Sequence, residues 1–227
     1  MPSSIVFLGP SLKREAAQAI LDTEYRPPIR RGDIEAILRG PLPAAVGIID
    51  GQFLQNFSIS PKEILKGMDA GIRMFGSSSM GALRAVELAR YGMVGSGTVF
   101  QLFFSGVLDA DDEVAMTYDP EDGTPASEPL VNIRVALAQA AELGVISLET
   151  RDLFIEKARQ LYFPQRTYRR VLSSVSTLIP EAEAASLAVF LQTAPDTKRE
   201  DAIQLLEGMR EYLLKVDPSN RSDSEAS

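Results

Sequence analysis

Three short apolar runs, each followed by turn residues and a helical pattern, constrain the fold of this chain more than any other feature. The runs are Ile5–Leu8, Ala45–Ile49 and Ile72–Phe75. Each has the length of a buried strand, and each is bounded by glycine, proline, serine or aspartate. Strands that alternate with helices are typical of a parallel sheet. We therefore expect an α/β fold, with a parallel-sheet N-terminal core.

Helix signals divide the rest of the chain. Ser60-Pro61-Lys62-Glu63 predicts a helix start, with Ser60 as the N-cap and Glu63 completing a capping box. From Pro129 onward, apolar residues recur at helical spacing and strand signals are nearly absent. We expect an α/β core over residues 1–128 and a helical subdomain or cap over 129–216. The polar stretch 217–227 predicts a disordered tail.

Three loops of the predicted sheet are candidates for a site. Ligands of open α/β sheets bind beyond the carboxyl ends of the strands. The loops there are Gly9–Ser11, Asp50–Gln52 and Gly76–Gly81. The last places three serines between a strand and a helix, as nucleophile elbows do, beside amides that can stabilise an oxyanion. A structural interpretation also fits, because serines cap helices and glycines allow close packing.

The chain contains no cysteine and no histidine among its 227 residues. This excludes a thiol nucleophile, a persulfide carrier, a thiolate metal site and a Ser-His-Asp triad within the chain. A serine nucleophile would then need another base, and lysine is the best-attested alternative. Lys62, next to the predicted helix start, is the candidate. We predict no cofactor and no metal site.

The charge balance is 23 basic against 31 acidic residues, a net charge of −8. It argues against nucleic-acid binding. Without a signal-peptide pattern or a run of about 20 apolar residues, we expect a cytoplasmic protein with no membrane contact. Residues 109–122 hold seven acids and no base, which could bind a hard cation, orient a lysine or contact a basic partner. A solvated acidic loop is the simpler interpretation, and it is favoured over a metal site. A short aromatic run with helical spacing predicts core or a partner interface. Its members are Phe100, Phe103 and Phe104.

Four arginines can bind an anion, although ordinary ion pairs are the simpler interpretation. They are Arg30, Arg31, Arg84 and Arg134.

Taken together, these segments resemble the TfuA family. The similarity covers about residues 4–135 and is strongest in Phe75-Gly76 and Ser79-Met80-Gly81-Ala82-Leu83-Arg84-Ala85. The other matching segments are Ile5–Leu12, Tyr25–Pro28, Arg31–Asp33, Gly47–Gly51, Phe53, Lys62–Leu65, Glu87-Leu88, Gly92-Met93 and Asp111–Ala115. One departure is Pro61, because the family pattern often has histidine immediately before the Lys-Glu pair.

The resemblance implies a function beside a partner enzyme. TfuA proteins accompany YcaO enzymes, which use ATP to activate a backbone amide so that sulfide can replace its oxygen. The chain is then expected to serve thioamide formation in ribosomal peptides or proteins, and a homo-oligomer is compatible with that role. It would either release sulfide from a thiocarboxylated, ThiS-like sulfur carrier or act as an allosteric or docking subunit without chemistry. A metal- or nucleotide-dependent enzyme is a third class, which the absence of a phosphate-binding motif disfavours.

The hydrolytic mechanism assigns roles to the loop residues. Ser79 attacks the carrier's thiocarboxylate carbon, Lys62 takes its proton, and the amide of Met80 supports the oxyanion. Ser77 and Ser78 are alternative nucleophiles. Turn geometry is assigned to Gly76 and Gly81. Substrate binding is assigned to Arg84, Asp50, Gly51 and Ser11.

Overall fold

The three predicted strands lie side by side in a parallel sheet, together with two short strands that were not predicted. In the computed structural model, which describes residues 3–53, 57–119, 121 and 123–217, the strands are β1 (Ser4–Phe7), β2 (Glu24–Arg26), β3 (Ala45–Ile48), β4 (Arg73–Gly76) and β5 (Val94–Gly95). Their order is β2-β1-β3-β4-β5, and every pairing is parallel. This order is common among doubly wound α/β sheets. The predicted fold class is confirmed.

Helices connect the strands and make up the later part of the chain. Those between the strands are α1 (Arg14–Ile20), α2 (Asp33–Ile37), α3 (Pro61–Asp69) and α4 (Met80–Leu88), and α5 (Gly97–Phe104) follows β5. The later helices are α6 (Leu130–Glu142), α7 (Leu148–Gln160), α8 (Tyr168–Val175), α9 (Glu181–Phe190) and α10 (Thr197–Val216). The helical character expected from Pro129 onward is confirmed.

The start of α3 confirms half of the predicted capping box. The Ser60 hydroxyl accepts from the Glu63 amide at 3.3 Å, as an N-cap does. The Glu63 carboxylate does not return to Ser60. Its Oε1 accepts instead from the amides of Gly32 (2.8 Å) and Ile34 (3.2 Å) at the start of α2. Burial raises the pKa of Glu63, and these amide bonds oppose the rise. The predicted bond from the Glu63 carboxylate back to the Ser60 amide is therefore wrong. The buried carboxylate lies between two helices and caps the start of α2 instead of α3.

The chain forms two compact units. The core unit comprises the residues up to Asp109 and those from Lys198 onward, and the helical unit comprises Ala110–Thr197. The sequence-based division lay between residues 128 and 129 and assigned α10 to the helical part. Periodicity identifies the apolar face of a helix, but it does not say which surface will cover that face. The tail from residue 218 lies outside the described residues.

In the core unit, α1 and α10 pack on one face of the sheet. Leu205 and Met209 of α10 share a cluster with Val6 and Phe75 of the strands. A Cβ atom at Gly47 would lie 2.5 Å from the Met209 sulfur, so α10 approaches β3 closely where a side chain is missing. The helical unit has its own cluster, which includes Leu137, Phe154, Val171 and Leu187.

Candidate active site

Two of the predicted loops are joined by Asp50, directly after β3. Its Oδ2 accepts from the amides of Gly9 (2.9 Å) and Ser11 (3.1 Å), and its Oδ1 accepts from the Ser11 hydroxyl at 2.6 Å. The carboxyl group is 2% exposed. Asp50 and Ser11, both assigned to substrate binding, are therefore brought together and bond to each other. Their position at the carboxyl edge fits that assignment, which stays a prediction.

Asp50→Ala should lower the free energy of unfolding by about 3 kcal/mol, because it leaves the amides of Gly9 and Ser11 and the Ser11 hydroxyl without their acceptor. Ser11→Ala is the matched control, since it keeps both amide bonds to Asp50 and should cost about 1 kcal/mol. Urea unfolding of both variants tests this. An Asp50→Ala variant as stable as Ser11→Ala would show that the two amide bonds contribute nothing.

The residues between β4 and α4, Ser77–Ser79, form a tight turn that we call the serine turn. The Ser79 amide donates to the Ser77 carbonyl at 2.7 Å, and the φ of Ser78 between them is 66°. A three-residue turn of this hand is rare and strained. Among the described residues, Ser78 is the one non-glycine residue with a positive φ. Such strain persists only where the surroundings enforce it, and it is concentrated at functional sites.

The three hydroxyls of the serine turn have different surroundings. Ser77 Oγ donates to the Asp201 carbonyl at 3.1 Å. Ser78 Oγ is buried and has no hydrogen-bond partner in the part of the chain that the structure describes. Ser79 occupies the N-cap position of α4 with φ −125°, and its side chain does not cap the helix. A buried hydroxyl without a partner is costly, so Ser78 is the one whose retention calls for an explanation.

Two glycines bring α4 against the strand ends. A Cβ atom at Gly81 would lie 1.7 Å from the Ile48 carbonyl oxygen, and one at Gly76 would lie 2.2 Å from the Gly81 carbonyl oxygen. The Gly81 amide donates to Ile49 at 3.3 Å. These contacts require glycine at both positions, and the assignment of Gly76 and Gly81 to the turn of the site stays a prediction. At Gly51, a Cβ atom would meet Met80 and Ile29 within 3 Å, so this glycine also permits close packing.

The first amide of α4 belongs to Met80. Among the described residues, no acceptor bonds to it, whereas the next two amides, of Gly81 and Ala82, are paired. Free amides at a helix start attract negative charge. The Met80 amide, which is the predicted oxyanion donor, therefore makes no other hydrogen bond within the described part of the chain.

Arg84, the predicted anion-binding residue, is occupied by contacts within the core unit. Its Nε donates to the Ile59 carbonyl at 2.9 Å, one terminal nitrogen pairs with Glu87 at 2.7 Å, and the other donates to Ser58 Oγ at 3.3 Å. The side chain is 13% exposed. It ties the segment before α3 to α4, next to Met80. Anion binding by Arg84 stays a prediction.

Lys62, the predicted base, lies at the second position of α3, where it is exposed. Among the described residues, the hydrogen bonds of the serine turn do not include Lys62. The structure therefore does not bring the two members of the predicted dyad into contact. Their pairing stays a prediction, which requires the flexible lysine to reach the turn.

The carboxyl end of β5 borders a cavity of about 550 Å³. Ser96, Gly97, Thr98 and Gln204 are among its lining residues, and none is charged. The Ser96 amide donates to the Gly76 carbonyl at 3.1 Å, which ties this turn to the last residue of β4. The cavity is therefore adjacent to the start of the serine turn.

Part of the acidic segment 109–122 forms ion pairs inside the helical unit. Both oxygens of Glu113 accept from Arg134 at 2.7–3.1 Å, and Asp112 pairs with the buried Arg166 at 3.3 Å. Asp109, Asp111, Asp119 and Glu121 are exposed, and Asp122 lies outside the described residues. Within the described ranges, no three acidic side chains are grouped as a metal site would require. The ordinary ion pair expected of Arg134 is confirmed.

The aromatic run on α5 is divided between core and surface. Phe100 and Phe103 are buried, while Phe104 is 58% exposed and stacks on Phe100 with ring centroids 5.3 Å apart. The sequence predicted either core or interface for this run. Two of its members are core, and the third is available on the surface.

A model of the family described as TfuA-like protein matches residues 50–167, which is 118 of the 227 residues. The chain belongs to the TfuA-like family. No curated protein matches it. The TfuA-like match includes Asp50, Lys62, the serine turn and Arg84, and it ends before Asp201. Membership implies a role together with a partner protein. Among the described helices, none combines the length and apolar character that a membrane crossing needs.

Sequence reasoning missed Asp201 as a neighbour of the serine turn. It lies 124 residues after Ser77, within a helix whose pattern indicated only an amphipathic face. The sequence could not single out Ser78 either, because the three adjacent serines differ in backbone conformation and hydrogen bonding, and not in residue type.

Proposed function

We propose that this chain releases sulfide from the C-terminal thiocarboxylate of a sulfur-carrier protein and supplies it to a YcaO-type thioamide synthetase. Membership of the TfuA-like family supports the accessory role. The observation that carries the hydrolytic step is the strained turn at Ser78. Among the described residues, its buried hydroxyl has no partner, and the helix amide two residues later, that of Met80, has no acceptor.

The geometry favours Ser78 over Ser79 as the nucleophile. The Ser77 hydroxyl donates to Asp201, and Ser79 lacks the positive φ of Ser78. In nucleophile elbows, a strained strand-to-helix turn presents the reacting hydroxyl. Ser78 occupies that position here, two residues after Gly76. Ser79 remains the alternative that the mutants below distinguish.

The proposed reaction balances without a thiol on this chain. The Ser78 oxygen forms a bond to the thiocarboxylate carbon, and the carbon–sulfur bond breaks. The hydroxyl proton leaves with the sulfur, so HS⁻ departs and an ester remains. Water then cleaves the ester, which yields the carrier's carboxylate and the free Ser78. Lys62 would carry the proton, and the Met80 amide would stabilise the negative charge on the tetrahedral intermediate.

Access to the serine turn requires movement, because none of its three side chains is more than 2% exposed. A thiocarboxylate is carried on a chain terminus, which is narrow enough to enter a small opening. The open, uncharged pocket at the carboxyl end of β5 lies next to Gly76, and such a tail would approach the turn from there once the turn opens. If water is excluded until the tail arrives, the attraction between the Met80 amide and the negative charge of the intermediate would also be stronger.

Sulfide release from a thiocarboxylated carrier, measured with the purified chain alone, tests the proposal. Wild type should release sulfide, and Ser78→Ala should reduce the rate by about a thousandfold or more. Ser79→Ala should lose about tenfold at most, because it perturbs the turn without removing the nucleophile. Lys62→Met should lower the rate, whereas Lys66→Met, an exposed lysine on the same helix, should not.

Other outcomes contradict parts of the proposal. Loss in Ser79→Ala with release retained in Ser78→Ala would assign the attack to Ser79. Equal rates for the two lysine variants would remove Lys62 as the base. No release by wild type, with or without the YcaO enzyme, would exclude the hydrolase.

A docking subunit without chemistry is the second candidate. The exposed Phe104 and the nearby Val107, 68% exposed, favour it, because exposed large apolar side chains are frequent at interfaces. If it is correct, Phe104→Ser should weaken binding to the YcaO enzyme while Ser78→Ala leaves thioamide formation unchanged.

A further inference from the structure

Asp201 lies in the first turns of α10 and is 2% exposed. Its carboxylate accepts hydrogen bonds from two amides at the start of α5, the helix that follows β5. Oδ1 accepts from the Thr98 amide at 2.7 Å, and Oδ2 accepts from the Val99 amide at 2.8 Å. The preceding Gly97 has a φ of 92°, and a Cβ atom there would lie 2.2 Å from the carboxyl carbon. Glycine at this position therefore makes room for the carboxylate.

The main chain of the same residue contacts the serine turn. The Asp201 carbonyl accepts from Ser77 Oγ at 3.1 Å. The Ser77 carbonyl in turn accepts hydrogen bonds from the amides of Ser79 (2.7 Å) and Ala82 (3.1 Å). A shift of Asp201 would therefore be transmitted through Ser77 to the turn that holds Ser78.

We propose that Asp201 is a positioning residue for the serine turn. The ionised carboxylate fixes the start of α10 on the first amides of α5, and the carbonyl of the same residue then fixes Ser77. Asp201 lies outside residues 50–167, the part matched by the family model. This inference rests on the proposed function for its activity measurement, but its structural measurement is independent of that function.

The protonation state of Asp201 supports this role. Burial raises the pKa of Asp201 to about 6, the charge of Glu200 adds to the rise, and the two amide bonds oppose it. The contacting residues Ser77, Thr98 and Val99 do not titrate, and the charged neighbours along α10 are Lys198, Arg199 and Glu200. A protonated carboxyl oxygen is a poor acceptor, so one of the two amide bonds should weaken below pH 6.

The stability contribution of this group has the opposite sign to its proposed functional role. A carboxyl group whose pKa is higher in the folded than in the unfolded chain stabilises the fold most below the unfolded value of 3.8. That contribution is lost as the pH rises through about 6. Near neutral pH, the ionised Asp201 is therefore kept at a cost in stability, which a positioning role explains.

Amide hydrogen exchange followed by NMR tests the structural coupling. Asp201→Asn keeps the shape of the side chain but has one acceptor oxygen. At pH 7.5 it should accelerate exchange about tenfold at Thr98 or Val99 and also at Ser79 and Ala82. Glu207→Gln is the matched control on an exposed position of α10, and it should change none of them. Acceleration confined to Thr98 and Val99 would reduce Asp201 to a helix cap and overturn the proposal.

Sulfide release between pH 5 and 8 tests the functional consequence. At pH 7.5, Asp201→Asn should lower kcat by ten- to a hundredfold with KM unchanged, because positioning errors affect the reacting geometry. The two profiles should converge near pH 5, where wild type is protonated. A deficit of the same factor at every pH, or no deficit, would contradict the proposal. If wild type releases no sulfide, the proposed function fails and the exchange measurement alone decides the coupling.

Discussion

Ser78→Gly should make the protein more stable and inactive at once. Glycine adopts a φ of 66° without strain, and the substitution also removes a buried hydroxyl that has no partner within residues 3–53, 57–119, 121 and 123–217. We expect the free energy of unfolding to rise by about 1 kcal/mol, after allowance for the greater freedom of glycine in the unfolded chain. Sulfide release should fall by about a thousandfold or more. Urea unfolding and the sulfide assay measure the two effects.

Ser79→Gly is the matched control. Its φ of −125° is open to every residue type, but its ψ of −123° lies outside the common regions, so glycine there relieves some strain as well. Ser78→Gly should nevertheless be the more stabilising of the two substitutions, because Ser78 has the positive φ and the buried hydroxyl without a partner among the described residues. A Ser78→Gly variant less stable than wild type would mean that the turn is not strained. One that retains full activity would exclude Ser78 as the nucleophile.

Gly81→Ala should have the largest effect on folding. The added methyl group would lie 1.7 Å from the Ile48 carbonyl oxygen, and neither backbone segment can yield without moving α4 or β3. We expect a loss of about 4 kcal/mol or more, or no folded protein. Sulfide release should be lost with the turn. Circular dichroism and urea unfolding report the fold directly.

The contrasting glycine is Gly208 on α10, where a Cβ atom would meet nothing within 4 Å. Gly208→Ala should stabilise the protein by about 0.5–1 kcal/mol, because alanine favours a helix interior. If Gly81→Ala were within 1 kcal/mol of wild type, α4 would not begin against β3 as described.

The elements predicted correctly have strong local signals. Apolar runs located β1, β3 and β4, and apolar periodicity located the helices after Pro129. The strands that were missed, β2 and β5, have three and two residues, too few for an alternating or continuous pattern. They are added by pairing with strands already present, which is a property of the sheet and not of their own residues.

The candidate site was predicted less completely, for two physical reasons. Residue types indicated a serine turn at the start of a helix, but Ser78 differs from its neighbours in its positive φ and in the hydrogen bonding of its hydroxyl, which the folded chain alone determines. Asp201 meets Ser77 across 124 residues, and no local pattern indicates such a contact. Gly76 and Gly81 gave the clearest sequence signal for the turn, because the close backbone contacts at both positions permit glycine alone.

The position of α10 has a consequence for the order in which the chain folds during synthesis. Leu205, Leu206, Met209 and Leu213 cover one face of a sheet whose strands precede the whole helical unit. The part of that face that α1 does not cover stays open to water while the ribosome makes some ninety further residues, Ala110–Thr197. We therefore expect the core unit to complete its folding only after the helical unit has emerged, and nascent chains halted before α10 to be prone to aggregation.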